Sequence, residues 1–436
     1  GGAKKACVTA LDGFEGLRAP VALTVDSRGT VYVSDWRDRM QVRKFSRDGR
    51  PLGEIGKAGG RPWVGRFDPG GMLLPHGLAV TRNGTLFVAE ADMLPKRISC
   101  WDAATGAFKR HWLGPTPYGG MSYFWIDPAE PGVFHSGGCR YAYDAKTGKS
   151  EIISTEFRRL SRDQPFMPNG ASCMGTGVKS VRNQHGDFIC IGGGNQTVWL
   201  KRKGDVYVPC AAVGGLHSMV TDDGTGLTCW DSDIVRHLYK DVRPECFRGH
   251  AGKPGGKGGD NFSWHDRNGD GLVSADEMRW HETRGRGGKW SAGVQYEFYN
   301  GWGALFAADG TGHFASFAND YDVIMKLTPR GWSENGPEYD INDAKPLHFA
   351  RTPCISLHQG VYTADDGNVF AVGGVSHHCK MESRVALTAL DPCGKLRWEW
   401  AAAGSAGKTD FAASGINGEW NVPGIGRILC TWNWWW

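Results

Sequence analysis

Short segments rich in β-branched and aromatic residues alternate with polar, glycine-containing turns along most of the chain. This pattern, with segments of five or six residues between turn residues, is typical of β-strands rather than of amphipathic helices. The clearest examples are residues 20–25, 30–35 and 42–45, followed by 75–80, 86–90 and 98–102. Turns of the Asp/Asn-Gly type separate these segments, as at Asp48-Gly49 and Asn83-Gly84. We therefore expect antiparallel strands joined by tight turns.

The same three- or four-strand unit recurs down the chain. After the copies that begin at Pro20 and Pro75, weaker copies begin at or near the following residues: Met121, Val178, His217, Gly303 and His358. A unit of this kind has two apolar faces, and radial stacking of several units covers both while closing the sheet edges. The sequence thus predicts an all-β fold, a β-propeller of seven blades, within a range of six to eight. The alternatives are a β-sandwich and an open solenoid, and a solenoid would show a stricter and shorter period.

The periodicity is interrupted once. Residues 244–300 do not fit the repeat, and they contain a run of Gly and Lys at 252–259 that is typical of a flexible loop. We interpret the chain as one propeller domain, residues 1–436, with an insertion at 244–300.

Composition narrows the class of protein. Gly supplies 64 of 436 residues, about twice the ordinary usage of roughly 7%, which suits a turn-rich β-fold. The net charge of +4 gives no electrostatic reason to expect nucleic acid as a partner, and no apolar run is long enough for a membrane span. The chain opens without an apolar leader, as expected of the mature form of an extracellular or periplasmic protein. Its 12 cysteines either form disulfides there or are buried thiols in a reducing compartment.

Within the insertion, residues 266–277 read Asp-Arg-Asn-Gly-Asp-Gly-Leu-Val-Ser-Ala-Asp-Glu. This order matches the twelve-residue EF-hand calcium loop, with Gly271 at the sharp turn of position 6. The predicted ligands are oxygens of the following residues: Asp266, Asn268, Asp270, Leu272 through its carbonyl, Ser274 directly or through water, and Glu277. A hard cation such as Ca²⁺ takes six to eight oxygen ligands, which this spacing arranges around one point.

The flanks of the loop differ from each other. Residues 261–265 before the loop are typical of a strand, whereas Ser274 predicts the N-cap of an exiting helix that continues to Trp280. A single loop without a paired second one suggests a structural brace rather than a calcium sensor. The alternative is a polar Asp/Gly turn that binds no metal.

Three histidines occupy the same place in their repeats. His76, His217 and His358 each begin a first strand, and they follow one another at intervals of 141 residues. In a propeller the first strand of each blade lines the central channel, so these side chains are expected to converge. Three imidazoles with an open fourth position suit zinc or another transition metal. The alternative is that each histidine caps a strand or forms hydrogen bonds across the channel.

The first two units resemble those of NHL-repeat propellers. The resemblance covers residues 17–113 well and residues 215–243 and 354–400 more loosely, and it rests on stretches such as Pro75-His76-Gly77-Leu78-Ala79-Val80. That stretch and Leu216-His217-Ser218-Met219-Val220 are similar to the repeat starts of peptidyl-hydroxyglycine amidating lyase propellers, which hold zinc through histidines and also contain a structural calcium. The resemblance implies a metal-centred propeller. Amidation chemistry does not follow, because those lyases have six blades and no EF-hand insertion, and their arginine and tyrosine match no motif here.

Two functions agree with these observations. One is a secreted metal-dependent lyase or hydrolase that acts on a polysaccharide or another extracellular substrate, a substrate class suggested by the 19 tryptophans. The other is a non-catalytic binding or scaffold propeller with a glycan or protein ligand, in which calcium only stabilises the fold. Because a propeller hosts many activities, the fold does not decide between them.

Overall fold

The computed structural model describes residues 13–114, 124–168, 177–193, 196–216, 243–247, 250, 260–281, 304–318, 321–349, 355–375, 386–401 and 415–432. The chain divides into two compact units. The first unit comprises residues 1–117 and 153–155, and the second comprises residues 118–152 and 156–436.

The first unit contains two four-stranded antiparallel sheets, each with its strands in sequence order. The strands of the first sheet are β1 (Pro20–Val25), β2 (Val31–Asp35), β3 (Gln41–Phe45) and β4 (Pro51–Ile55). A short strand β5 (Gly65–Arg66) follows. The strands of the second sheet are β6 (Pro75–Val80), β7 (Thr85–Glu90), β8 (Arg97–Asp102) and β9 (Phe108–Leu113). This up-and-down arrangement of four strands is that of a propeller blade.

Local turn chemistry explains the hairpins of these sheets. Between β1 and β2, the Asp26 carboxylate accepts hydrogen bonds from the backbone N–H groups of Arg28 and Thr30, both at 2.9 Å. Gly29 completes this turn with φ of 85°, a conformation that other residues rarely adopt. The apolar residues of the strands then pack between the sheets. Leu86 and Val88 of β7 are fully buried against a cluster that includes Val42 and Ile55.

A buried network of charges lies beside this core. Glu90, at the end of β7, accepts hydrogen bonds from Arg97 Nη1 at 2.8 Å and from Arg61 Nη2 at 3.3 Å. Arg61 also donates to Asp92 at 2.6 Å. The side chains of Arg61, Glu90 and Arg97 have no exposed surface. The network therefore fixes the segment around Arg61 against the second sheet by ion pairs removed from water.

The second unit is also built of sheets, most of whose strands pair antiparallel. Its first strands are β10 (Val133–Ser136) and β11 (Cys139–Asp144). The next strand, β12 (Lys149–Thr155), ends within the first unit, where its last two residues pair with β5. A sheet of six strands follows, made of β13 (Val178–Asn183), β14 (Gly186–Gly193), β15 (Gln196–Lys203), β16 (Val206–Gly215), β17 (Asn261–His265) and β18 (Met278–His281). β17 and β18, which come from the segment predicted as an insertion, thus lie at one edge of this sheet.

Three further sheets contain the later strands. These are β19 (Ala304–Leu305), β20 (Gly312–Ala318), β21 (Tyr321–Leu327), β22 (Gly331–Ser333), β23 (Gly336–Glu338), β24 (Lys345–Phe349), β25 (Ile355–Thr363), β26 (Val369–Val375), β27 (Ala386–Leu390) and β28 (Leu396–Ala401). β20, β21 and β24 form one sheet, β19 joins β25–β28 in another, and β22 and β23 form a hairpin. A last hairpin pairs β29 (Gly415–Val422) with β30 (Gly426–Trp432). The core of this unit includes Trp199, Phe306 and Tyr339, all buried.

The prediction of an all-β fold of the β-propeller class is confirmed, since the described residues form antiparallel meanders and no α-helix. The blade count stays a prediction. The repeat predicted near Met121 has its described strands at β10–β12, and the one that begins at His217 lies outside the described residues. No helix in the described part of the chain has the length and apolar character needed to cross a membrane.

The described cysteines include buried thiols, one of the two alternatives for the cysteines of this chain. Cys190 and Cys210 are buried thiols, and burial raises the pKa of Cys190 to about 12 and also raises that of Cys210. These two match the alternative of buried thiols. Cys7, Cys173, Cys229, Cys354 and Cys379 lie outside the described residues.

Candidate calcium-binding loop

Residues 266–277 connect β17 to β18, so the loop closes an antiparallel hairpin. Trp264 and Met278 are cross-strand partners on either side of it. Gly269 and Gly271 adopt φ of 77° and 72°, which lets the chain turn sharply twice. A Cβ atom added at Gly271 would also lie 2.4 Å from Val208 Cγ1. The glycine at position 6 is therefore required both by its conformation and by the close approach of β16.

Asp266, at position 1, is held by the backbone of the loop. Its Oδ1 accepts hydrogen bonds from the N–H groups of Gly269 at 2.8 Å and Asp270 at 3.2 Å, and its Oδ2 accepts from Gly271 at 2.9 Å. Burial raises the pKa of Asp266, the backbone hydrogen bonds oppose this, and the charges of Glu277 and Asp270 raise it further. The side chain at position 1 thus lies inside the loop, within the electrostatic influence of two other carboxylates.

Glu277, at position 12, closes the loop from its other end. Its Oε1 accepts a hydrogen bond from the N–H of Arg267 at 2.9 Å, and its Oε2 accepts from the indole Nε1 of Trp264 at 3.3 Å. Glu277 is 5% exposed and Asp266 is 2% exposed. The two carboxylates predicted at the ends of the calcium loop are therefore both buried and both directed toward its first residues.

The other predicted ligands lie nearer the surface. Asn268 Oδ1 accepts from the N–H of Asp270 at 2.9 Å, and Asn268 Nδ2 donates to Asp270 Oδ2 at 3.1 Å. Asp270 Oδ1 accepts from the N–H of Leu272 at 2.7 Å. The hydroxyl of Ser274 donates to Asp276 Oδ1 at 2.8 Å. Asn268 and Asp270 therefore face each other, whereas Ser274 is engaged with a carboxylate outside the predicted ligand set.

The predicted exiting helix is wrong. Residues Ala275–Glu277 form a single 3-10 turn, and β18 begins at Met278. Ser274 makes no capping hydrogen bond with its side chain. Pairing of Met278 with Trp264 and of Trp280 with Phe262 extends the sheet, and this tertiary pairing outweighs the local helix signal. The strand predicted before the loop is confirmed as β17.

The charge balance of the loop is uneven. Among the described residues, Asp266, Asp270 and Glu277 form no ion pair with Lys or Arg, whereas the neighbouring Asp276 pairs with Arg267 at 2.9 Å. Buried carboxylates without a counter-charge are unfavourable unless a cation or strong hydrogen bonds compensate them. No group of three or more His, Cys, Asp or Glu side chains is gathered as a metal cluster in the described residues. The oxygen-only donor set nevertheless fits a hard cation.

Neighbouring segments of the second unit hold the loop in place. The N–H of Asp266 donates to the carbonyl of Cys210 and the N–H of Val273 donates to the carbonyl of Asp163, both at 2.8 Å. Lys203 Nζ donates to the carbonyl of Gly269 at 2.8 Å. Asn335, from the turn between β22 and β23, donates to the carbonyl of Arg267 at 3.3 Å. Four hydrogen bonds thus attach the loop to other parts of its unit.

Of the three histidines predicted to share a metal, only His76 has a described side chain. His76 is the second residue of β6 and its side chain is exposed. Its ring centroid lies 6.2 Å from that of Trp36, and its carbonyl accepts a hydrogen bond from the Ser34 hydroxyl at 3.3 Å. His217 and the side chain of His358 lie outside the described residues. The shared metal site of these three residues stays a prediction.

A buried histidine–carboxylate pair is absent from the sequence prediction. His135 Nδ1 lies 2.7 Å from Glu156 Oε2, and both side chains are 1% exposed. The ring of Trp125 stacks on that of His135 with centroids 4.2 Å apart. The two partners stand 21 residues apart, His135 on β10 and Glu156 directly after β12, and no short motif contains them. The order of β10, β11 and β12 in one sheet brings His135 and Glu156 together, and this order is not apparent from the sequence.

Comparisons with known proteins do not identify a family for the chain. None of the family models and none of the curated proteins compared matches the chain. Among solved structures, a protein from Lactobacillus plantarum is 11% identical with a TM-score of 0.28, covering 87% of this chain and 96% of its own.

Two other solved structures show similarly low identity to this chain and similarly low TM-scores. The Dos1 propeller is 10% identical with a TM-score of 0.22, over 83% of this chain and 79% of its own. A europium-containing methanol dehydrogenase is 11% identical with a TM-score of 0.26, over 91% of this chain and 70% of its own. Likenesses this weak say nothing about the activity of the chain.

Proposed function

We propose that the chain is a calcium-binding β-propeller of an extracellular or periplasmic compartment, in which Ca²⁺ bound at residues 266–277 braces the hairpin of β17 and β18. The observation that supports this most directly is the pair of buried carboxylates, Asp266 and Glu277, which have no basic partner among the described residues. Asn268, Asp270 and the carbonyl of Leu272 would complete an oxygen ligand set, with Ser274 acting through water. Bound calcium would neutralise charges that the fold has already removed from water.

The proposed role of the metal is structural. The loop connects the two strands of a hairpin, and hydrogen bonds attach it to Cys210, Asp163 and Asn335. A sensor requires a pair of helices that changes its opening angle, and this hairpin contains none. We therefore favour a binding or scaffold propeller, with a glycan or protein ligand, as the function of the whole chain. The second candidate, a metal-dependent lyase or hydrolase, is supported by the exposed His76 at the start of β6.

Calorimetric titration of the chelator-stripped chain with Ca²⁺ tests the proposal. We expect one calcium ion per chain and a rise in melting temperature. At a free calcium concentration 100 times Kd, the stabilisation is about 2.7 kcal/mol. Asp266→Ala and Asp270→Asn should each abolish the calcium-dependent part of this rise. Asp270 is exposed, so its replacement by Asn leaves the fold intact.

Asp276→Asn is the matched control. Asp276 lies in the same loop but is exposed and pairs with Arg267, outside the predicted ligand set. This variant should take up calcium like the parent chain. If the parent chain binds no calcium, or if Asp270→Asn melts with the same calcium-dependent shift as the parent, the proposal is wrong.

A further inference from the structure

Trp264 makes a contact with the calcium loop that the loop motif does not include. It is the fourth residue of β17, its side chain is 1% exposed, and its indole N–H donates to Glu277 Oε2 at 3.3 Å. The other hydrogen bonds to Glu277 come from backbone N–H groups of Arg267 and Asn268 at Oε1. The indole is therefore the side-chain donor that sets the direction of this carboxylate.

The same indole belongs to a group of rings, here named the aromatic cluster, in which all members but the half-buried Trp280 are buried: Phe166, Phe247, Phe262, Trp264 and Trp280. Phe166 contacts Trp264 with ring centroids 5.1 Å apart and Phe262 at 4.9 Å. Phe247 contacts Trp280 at 5.8 Å. Phe262 and Trp264 are two residues apart on β17, so both side chains project from the same face of the hairpin.

The aromatic cluster connects the loop with two other segments of the second unit. Phe166 belongs to a segment that the loop also binds directly, because the N–H of Val273 donates to the carbonyl of Asp163. Trp280 stacks on His250 with centroids 3.7 Å apart, and His250 Nδ1 lies 3.2 Å from Asp260 Oδ2. Residues 163–166, Phe247 and His250 thus share their packing with the hairpin that carries the loop.

We propose that Trp264 is a positioning residue for the calcium ligand Glu277 and that it couples calcium binding to the order of the aromatic cluster. This inference depends on the proposed calcium function. A carboxylate oxygen has two lone pairs, so the indole N–H can orient Oε2 and leave a lone pair for a cation. The side chain at position 12 is then already directed inward before the metal arrives. Residues that orient metal ligands in this way change metal affinity by about 10- to 100-fold when they are replaced.

The test compares two tryptophan-to-phenylalanine variants by calcium calorimetry and indole fluorescence. Trp264→Phe removes the donor to Glu277, and we expect its calcium affinity to fall about tenfold, at the low end of the range for such residues. The calcium-dependent change in indole emission should also be lost. Trp280→Phe is the matched control, because it removes an indole from the same aromatic cluster and leaves all three hydrogen bonds to Glu277 intact. Its affinity should stay within about twofold of the parent, since it spares the groups that orient the ligand.

Hydrogen exchange of the unsubstituted chain gives a second measurement that does not depend on the folding of a variant. We expect added Ca²⁺ to slow exchange in peptides that cover residues 261–265 and 163–167 as well as in the loop. Protection confined to residues 266–277, or equal calcium affinity in Trp264→Phe and the parent, would overturn the inference while leaving the calcium site in place. A parent chain that binds no calcium would instead refute the proposed function itself.

Discussion

Replacement of Glu90 by Gln tests the buried charge network of the first unit. The substitution keeps the shape of the side chain but removes the charge that faces Arg61 and Arg97, both without exposed surface. Burial raises the pKa of Glu90 and lowers that of Arg97, and their mutual attraction at 2.8 Å opposes both shifts. Breaking a buried ion pair from one side costs about 3–5 kcal/mol. Asp92 still pairs with Arg61, so we expect Glu90→Gln to destabilise the first unit by about 3 kcal/mol.

The assay is native-state hydrogen exchange of peptides from β6 to β9, which measures the free energy of opening of that sheet. Glu54→Gln is the control in the same unit. Glu54 is partly exposed and lies 3.3 Å from Arg43, so its loss should cost about 0.5 kcal/mol. If both variants lower the opening free energy by the same amount, below about 1 kcal/mol, burial does not decide the strength of these pairs.

Two further predictions concern pH and metal content. Burial and the charge of Lys326 lower the pKa of His313 to about 3, against 6.5 in the unfolded chain. The unfolded chain therefore binds a proton that the folded chain excludes, and stability should fall by up to about 1.4 kcal/mol per pH unit as the pH drops from 6.5 toward 3. His313→Gln should flatten this slope in unfolding curves, and an unchanged slope would contradict the assignment. Elemental analysis of the chain purified without added metal should find calcium alone. About one transition metal per chain, lost in His217→Ala, would favour the lyase or hydrolase instead.

The strands of the first unit follow closely from the sequence. Residues 20–25 and 75–80, predicted as first strands, are β1 and β6, and the predicted turns at Gly49 and Gly84 have the positive φ that such turns need. Here the information is local, because alternation and turn residues lie within a few positions of each other. The EF-hand-like motif at 266–277 is recognisable for the same reason, since its oxygen-bearing residues and its glycine occur at fixed spacings.

The features that the sequence did not predict depend on contacts between distant residues. The helix expected after Ser274 is replaced by β18, because pairing with β17 decides the conformation of Met278 and Trp280. The Arg61–Glu90–Arg97 network joins residues about 30 positions apart, and its members resemble ordinary surface charges in the sequence. The contact of Trp264 with Glu277 likewise spans a whole loop. Such pairs become apparent only when strand register is known.

The EF-hand-like segment lies at the tip of a β-hairpin and not between two helices. Its ends are set by two facing strands about 5 Å apart, a separation common to every antiparallel ladder, so no flanking helices are required. If the loop binds Ca²⁺ as proposed, residues 264–278 grafted onto an unrelated hairpin would test whether the ion alone holds the loop closed. The graft carries its own indole donor, Trp264, and keeps glycine at position 6, where Val208 approaches closely in this chain.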